Sequence, residues 1–198
     1  MKDFDVILAS KSPRRKEILE NIGIKFDIKV ADIDETFLPD LTVEENIERV
    51  AFLKATAIAE NLSVTKDTYV IGVDTIVVLD NTVMGKPTDE EDAFEMLKAL
   101  SGKTHKVISG ISVIKKEKDA ITLKADHDTT LVTMKDIDDE TIKRYIQTKE
   151  PMDKAGSYAV QGIGSLLIKE IQGNYFNVVG LPVSKFYDIM SDYGVNII

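Results

Sequence analysis

The sequence predicts one continuous α/β domain, strands and helices in alternation, and three observations carry that prediction. Runs rich in β-branched residues alternate with segments whose apolar residues recur at helical spacing. The 198 residues suffice to bury about 70% of the surface that an unfolded chain of this length exposes. No internal repeat, low-complexity stretch or Pro/Ser linker interrupts the chain, so residues 1–198 read as a single domain, with at most two small lobes around a cleft. A cleft is where a ligand would sit.

Phe4 to Ala9 reads as a buried strand, and Pro13 suits the first position of a helix with Ile18, Leu19 and Ile22 on one face and Gly23 as its stop. Lys25 to Val30 alternates like a second strand and leads into the acidic loop Asp32-Ile33-Asp34-Glu35. Thr42 with Glu45 forms a capping box for a long helix whose apolar spacing, from Ile47 through Ile58, continues to about Leu62 and carries Lys54. Tyr69 to Leu79 is β-rich, Asp80-Asn81 is a hairpin turn, and Thr82 to Met84 starts the return strand toward Gly85-Lys86-Pro87. Thr88 with Glu91 is expected to cap the next helix, which ends at Ser101-Gly102. Val107 to Ile114 and Ile121 to Met134 read as a strand pair, followed by a helix from about Asp139 to Gln147. The last quarter predicts short strands at Tyr158 to Val160, Leu166 to Ile171 and Phe176 to Val179, then a helix opened by Pro182.

Composition excludes several classes. Cysteine is absent, which removes disulfides, thiolate metal sites and a cysteine nucleophile and agrees with a reducing compartment. Lys2, Asp3 and Asp5 interrupt any signal-peptide pattern, and no apolar run approaches the roughly 20 residues of a membrane span, so the expected location is cytoplasmic. Twenty-five basic against thirty-four acidic residues leave a net charge of −9, which argues against a polynucleotide-binding surface. A phosphate ligand must then be met by a local basic cluster.

Ser10-Lys11-Ser12-Pro13-Arg14-Arg15 is such a cluster, at a junction of strand and helix. Helix N-termini present backbone N–H groups and a dipole that favours anions, so two arginines in the first turn are locally unfavourable unless an anion joins them. The plain alternative is a serine cap followed by solvated arginines. Asp74 stands in the apolar run Val70 to Val78, where a carboxylate is costly unless a metal, a neighbouring lysine or a water-activating role accounts for it, the plain alternative being a strand-end carboxylate that accepts from local turn N–H groups. Glu35 could ligate Mg²⁺ beside substrate phosphates, although acidic loop residues are mostly just solvated. Lys86 sits in a stiff turn and Lys54 on a helix, and each taken alone reads as an exposed lysine. Gln161, beside Gly162 and Gly164, suits reading a nucleobase edge, although a lone glutamine by a turn is usually structural. His105 and His127 lack a partner at metal spacing and read as structural or surface residues. Neither a phosphate-binding P-loop nor a Gly-x-Ser-x-Gly elbow occurs.

Together these segments resemble the Maf family of nucleoside triphosphate pyrophosphatases, once described as septum formation inhibitors. The resemblance spans nearly the whole chain: Leu8 through Arg15, Asp34-Glu35, Lys54-Ala55, Gly72 through Val77, Gly85-Lys86-Pro87, Ser101 through His105, Glu150 through Tyr158, Gln161 through Gly164 and Gly173 through Pro182. It implies a two-lobed mixed α/β fold with an elongated sheet, akin to the inosine triphosphate pyrophosphatases. It also implies hydrolysis between the α and β phosphates that depends on a divalent metal cation, Mg²⁺ or Mn²⁺, with Glu35 and the phosphate oxygens as its ligands and Asp74 as base, metal ligand or both. By that analogy Asp74 is the general base. Arg15, Lys54 and Lys86 compensate phosphate charge, Ser10 and Ser12 donate to it, and Arg14, Thr75 and Gln161 occupy the specificity positions. The Arg, Thr, Gln combination is similar to the branch acting on dTTP and UTP, including modified pyrimidine nucleotides, a housecleaning role with a link to cell-division arrest. Val73 departs mildly from the family pattern, as does the apolar segment Ala51-Phe52-Leu53. The competing readings are a non-catalytic nucleotide-binding regulator of septum formation and a pyrophosphatase preferring purines or 7-methyl-GTP. The nucleoside triphosphate is the implied partner, with no polynucleotide or membrane, and a homodimer is the assembly common in proteins of this type.

Overall fold

In the computed structural model, residues 4–118 and 120–197 are described. The elements run β1 (Asp5–Leu8), α1 (Pro13–Asn21), β2 (Asp27–Ile28), α2 (Val43–Ala59), β3 (Thr68–Leu79), β4 (Thr82–Met84), α3 (Glu90–Leu100), β5 (Thr104–Lys116), β6 (Ile121–Met134), α4 (Asp139–Gln147), β7 (Ile168–Gln172), α5 (Tyr175–Val179) and α6 (Val183–Asp192). Seven strands form one mixed sheet in the hydrogen-bonded order β2-β1-β3-β5-β6-β7, with β4 paired to β3. β1 runs parallel to both β2 and β3, whereas the β3/β4 and β6/β7 pairs are antiparallel. The α/β expectation is met by a sheet of this mixed kind with helices around it.

Contacts divide the chain into two compact units. The first takes Met1–Asp74, Ser109–Asp128 and Gly180–Ile198. Its core gathers Ile7, Ala9, Ala55, Ile58, Ala59, Val70 and Ile114. Two glycines let α2 lie close to the strands here. A Cβ on Gly72 would fall 2.0 Å from the Ala51 carbonyl oxygen, and one on Gly110 would fall 2.5 Å from that of Ile47. α2 itself starts as its capping box predicts: the Glu45 N–H donates to Thr42 Oγ1 at 3.1 Å, and the Thr42 N–H donates to Glu45 Oε2 at 2.8 Å.

The second unit takes Thr75–Ile108 and Thr129–Val179. Its core packs Val77, Leu79, Ala93, Leu97, Leu100, Val107, Val132, Met134, Ile142, Tyr145, Ile146, Tyr158 and Leu167. The β3–β4 turn forms at Asp80 and Asn81, whose positive φ values of 49° and 68° suit a tight hairpin. Register between Val77 and Met84 follows from it.

Three local expectations are corrected. Asp89, not Thr88, caps α3: its side chain accepts from the Asp92 N–H at 2.8 Å, while Thr88 donates back to Asp92 Oδ2 from its own N–H and hydroxyl. Phe176 to Val179 belongs to the short helix α5, because Asn174 Oδ1 accepts from the Phe176 N–H at 2.9 Å and turns the chain at its start. Tyr158 to Val160 is not a strand, since the Ala159 N–H goes to the Tyr145 hydroxyl at 3.0 Å instead of a ladder partner.

Candidate functional site

In the first unit the hexapeptide after β1 does not form a serine-capped helix with solvated arginines. The Ser12 side chain makes no capping bond to α1. Instead Ser10, itself buried, accepts from the Ser12 N–H at 3.2 Å and from Arg15 Nη1 at 3.0 Å. Arg15 is 9% exposed, and its Nε donates to the Gly180 carbonyl oxygen at 2.7 Å. Two acceptors at fixed positions set the plane of the guanidinium, a geometry that lysine could not reproduce. Burial lowers the Arg15 pKa from its ordinary value, opposed by the fields of the Asp74 and Glu35 carboxylates and reinforced by Arg14. Arg14, half-buried, follows Pro13 in the first turn.

Those fields place Asp74, Glu35 and the two arginines in one electrostatic neighbourhood, and Lys54 stands among them. From α2, Lys54 Nζ reaches Asp74 Oδ1 at 2.7 Å and Glu35 Oε1 at 3.0 Å. Asp74 lies within β3, where Lys54 supplies the partner that its costly position demands. The two side chains are 14% and 17% exposed, so the pair is screened far less than a surface ion pair, whereas Glu35 is 55% exposed.

Side chains that sequence reasoning missed hold the Glu35 loop. Buried Asn46 accepts from the Leu38 N–H at 2.7 Å and donates to the carbonyls of Leu38, Leu41 and Thr42. Arg49 Nη1 donates to the Thr36 carbonyl at 3.1 Å, and Asp34 accepts from the Thr36 N–H at 2.9 Å. The hydrogen bonds from Thr36 hold the Asp34 carboxyl below its ordinary pKa. A polar residue among the apolar positions Ile47 and Val50 was the available signal for Asn46.

Thr75, Lys86 and Gln161 belong to the second unit. Thr75 follows Asp74 in β3 and is half-buried. Lys86 is exposed in the turn after β4, and the preceding Gly85 carbonyl accepts from the Gly156 N–H at 3.0 Å. Gly156 has φ +66°, and a Cβ there would press to 2.9 Å from Val77 Cγ2. Gln161, half-buried, opens a 3-10 segment, Gly162–Leu167. His105 has the structural place expected for it: Nε2 lies 2.8 Å from the Tyr158 hydroxyl, and burial lowers its pKa to about 4.

His127 is not merely a surface residue. Its Nδ1 lies 2.6 Å from Glu48 Oε1, and with Asp126 these residues offer ligand atoms within 4.8 Å of one another, all in the first unit. Glu48 is separated from His127 by 79 positions, beyond the reach of any spacing rule. Asp126 Oδ2 already accepts from Lys185 at 2.9 Å. Among the described residues, no helix is long and apolar enough to cross a membrane.

Comparisons with known proteins show the family of the chain. The family model described as "Maf-like protein" matches residues 5–193. A dTTP/UTP pyrophosphatase of Clostridioides difficile is 47% identical over 190 residues, covering 96% of this chain and 95% of the relative. One of Desulforamulus reducens is 45% identical, with 98% of both chains covered, and one of Caldicellulosiruptor saccharolyticus is 43% identical, with 97% and 96% covered. With its site motifs lying inside that match, the chain belongs to the Maf-like protein family.

Proposed function

We propose that this chain hydrolyses dTTP and UTP, with modified pyrimidine nucleotides of the same kind, to the nucleoside monophosphate and pyrophosphate. The names of relatives that match it along nearly its whole length support that reading. One structural observation carries the chemistry: Lys54 bonds Asp74 and Glu35 at once, within the field of buried Arg15. A base, a cation and a second carboxylate in one place suit phosphoanhydride hydrolysis, whereas a pure nucleotide binder needs no base.

Asp74 is the residue we assign as general base. A nucleoside triphosphate with about four negative charges competes for the Lys54 ammonium. As Lys54 turns toward a phosphate oxygen, the Asp74 carboxylate is released to orient water and accept its proton. Arg15, fixed by Ser10 and Gly180, holds its charge in place while negative charge moves onto the leaving pyrophosphate. Ser10 and Ser12 add donors, and Lys86 adds a cation. Thr75 and Gln161 read the pyrimidine carbonyl and imide edge, with Arg14 near base or sugar. A wrong base would leave those polar groups unpaired, which is the source of discrimination.

Glu35 and Asp74 also fit a divalent cation, because both carboxylates already converge on one positive charge, Lys54 Nζ, at 3.0 and 2.7 Å. Mg²⁺ or Mn²⁺ bound there would neutralise phosphate charge and polarise the α-phosphorus. Nucleotide pools of the cytoplasm are the setting we infer for this reaction.

A pyrophosphate-release assay with dTTP, UTP, 7-methyl-GTP and ITP, identifying both products, tests the reading. Asp74→Asn should keep nucleotide binding while turnover falls about 10²- to 10⁴-fold, the range of general-base catalysis; near-normal turnover would remove Asp74 from that role. Nucleotide binding without any monophosphate formed by the wild type would leave a binding regulator instead. Glu35→Ala should weaken activity and raise the metal concentration needed for half-maximal rate, and an unchanged metal titration would argue against ligation.

A further inference from the structure

The segment around Gln161 is held from both sides by two residues that the assigned chemistry does not use. On one side the Ala159 N–H donates to the Tyr145 hydroxyl at 3.0 Å. On the other, the Ile163 N–H donates to Glu150 Oε1 at 3.0 Å and the Gly164 N–H to Glu150 Oε2 at 2.8 Å. Tyr145 in turn donates to the Glu150 carboxylate. One carboxylate and one phenol therefore close a continuous chain of hydrogen bonds across residues 159–164, with Gln161 inside it.

The glycines beside Gln161 corroborate this clamp. Gly162 has φ +71°, and a Cβ there would fall 2.2 Å from Glu150 Oε1. A Cβ on Gly164 would fall 2.4 Å from the Tyr145 hydroxyl oxygen and 2.5 Å from the Ala159 carbonyl oxygen. Both positions are kept bare by Glu150 and Tyr145, a more immediate reason than the approach of a planar ligand. Burial pushes the Glu150 pKa up, but the hydrogen bonds from Tyr145, Gly164 and Ile163 outweigh it and hold it below the ordinary value. The carboxylate is thus ionised, and both oxygens act as acceptors at neutral pH.

We propose that Glu150, supported by Tyr145, is the positioning residue for base selection: it fixes the backbone on which Gln161 is mounted, and so sets the register in which the Gln161 amide meets the pyrimidine edge. The proposal rests on the base-reading role of Gln161. A carboxylate is needed because two N–H donors converge on it. A glutamine there keeps one acceptor and turns an NH₂ group toward the other N–H, leaving a donor facing a donor.

The experiment measures kcat and KM for UTP, dTTP and CTP by pyrophosphate release, with thermal midpoints alongside. It compares wild type, Glu150→Gln, Tyr145→Phe, Gln161→Ala and the Glu150→Gln/Gln161→Ala double variant. Glu150→Gln should raise KM for UTP about tenfold with kcat changed less than about twofold, because lost ground-state recognition acts on KM. It should also shrink the UTP-to-CTP preference, and Tyr145→Phe should do so to a smaller degree. In the Gln161→Ala background the Glu150 substitution should leave the preference where Gln161→Ala put it. If Gln161→Ala alters the preference and the Glu150 and Tyr145 variants do not, the positioning role is overturned while the base-reading role stands. If Gln161→Ala itself leaves the preference unchanged, the base-reading role fails first and the positioning role falls with it. A drop in thermal midpoint and kcat at constant preference would reduce Glu150 to a structural residue, and should Glu150→Gln not fold, Tyr145→Phe decides by the same criterion.

Discussion

Two short segments of this molecule, Ser10 to Arg15 in the first unit and Ala159 to Gly164 in the second, are rich in small and polar residues and are organised by opposite means. Around the first, ionised side chains meet one another. Arg15 is fixed by a hydroxyl and a carbonyl, and Lys54 spans two carboxylates. Around the second, main-chain N–H groups are collected by Glu150 and Tyr145, and the proposed reading side chain, Gln161, carries no charge. The difference follows from the tasks proposed for them. Compensating a triphosphate needs mobile and fixed cations close to a base, whereas discriminating uracil from cytosine needs neutral donors and acceptors whose backbone does not drift.

The two segments separate most sharply at Gly72, which brings α2 against β3 two residues before Asp74. Gly72→Ala sets a Cβ 2.0 Å from the Ala51 carbonyl oxygen, and since that atom is backbone, α2 must shift. We expect a loss of about 3 kcal/mol of stability by denaturant titration, together with a fall in kcat of about 100-fold from the displaced Lys54–Asp74 pair. The UTP-to-CTP preference should be retained, because the clamp on residues 159–164 lies in the second unit; collapse of that preference would mean that the two segments are not independently organised.

A smaller and pH-dependent effect distinguishes the second unit. His105, against Tyr158 next to the clamped segment, is held neutral by burial, its pKa lowered to about 4 from an ordinary 6.5. Near pH 7 the unfolded and folded chains both carry it neutral. As pH falls below 6.5 the unfolded chain takes up a proton that the folded chain refuses, so this group contributes a loss of up to roughly 3 kcal/mol that is complete near pH 4. Thermal midpoints between pH 7 and 4 should show it, and His105→Gln should flatten that slope even though it lowers the midpoint at pH 7. An unchanged slope would place the acid sensitivity elsewhere.

Much of the fold was legible locally. The Thr42/Glu45 capping box, the Asp80-Asn81 hairpin and the stop of α1 before Gly23 depend on residues a few positions apart, and each formed as its pattern predicted. The α3 cap lies one residue beyond its expected position, because Thr88 and Asp89 are both good caps and only the bond from the Asp92 N–H chooses between them. Phe176 to Val179 is helical against the strand expected of it, because its apolar run is too short to distinguish strand from helix by periodicity. At the candidate site, the residue types at Arg15, Lys54, Asp74 and Gln161 could be singled out, but the supporting roles of Asn46, Gly72, Tyr145 and Glu150 could not. Nothing adjacent to them in sequence reveals what they touch.

Residue identity and near-neighbour spacing thus determined the helices, the principal strands, the absence of thiol chemistry and the list of groups able to handle a phosphate. Tertiary structure alone decided the pairings: Lys54 with Asp74 across 20 positions, Arg15 with the Gly180 carbonyl across 165, and Glu150 with the backbone beyond Gln161. The physical reason is one of range. Capping and helical periodicity act within a few residues, whereas desolvation and hydrogen bonding to a buried charge are settled only when distant segments have packed together and water has been removed.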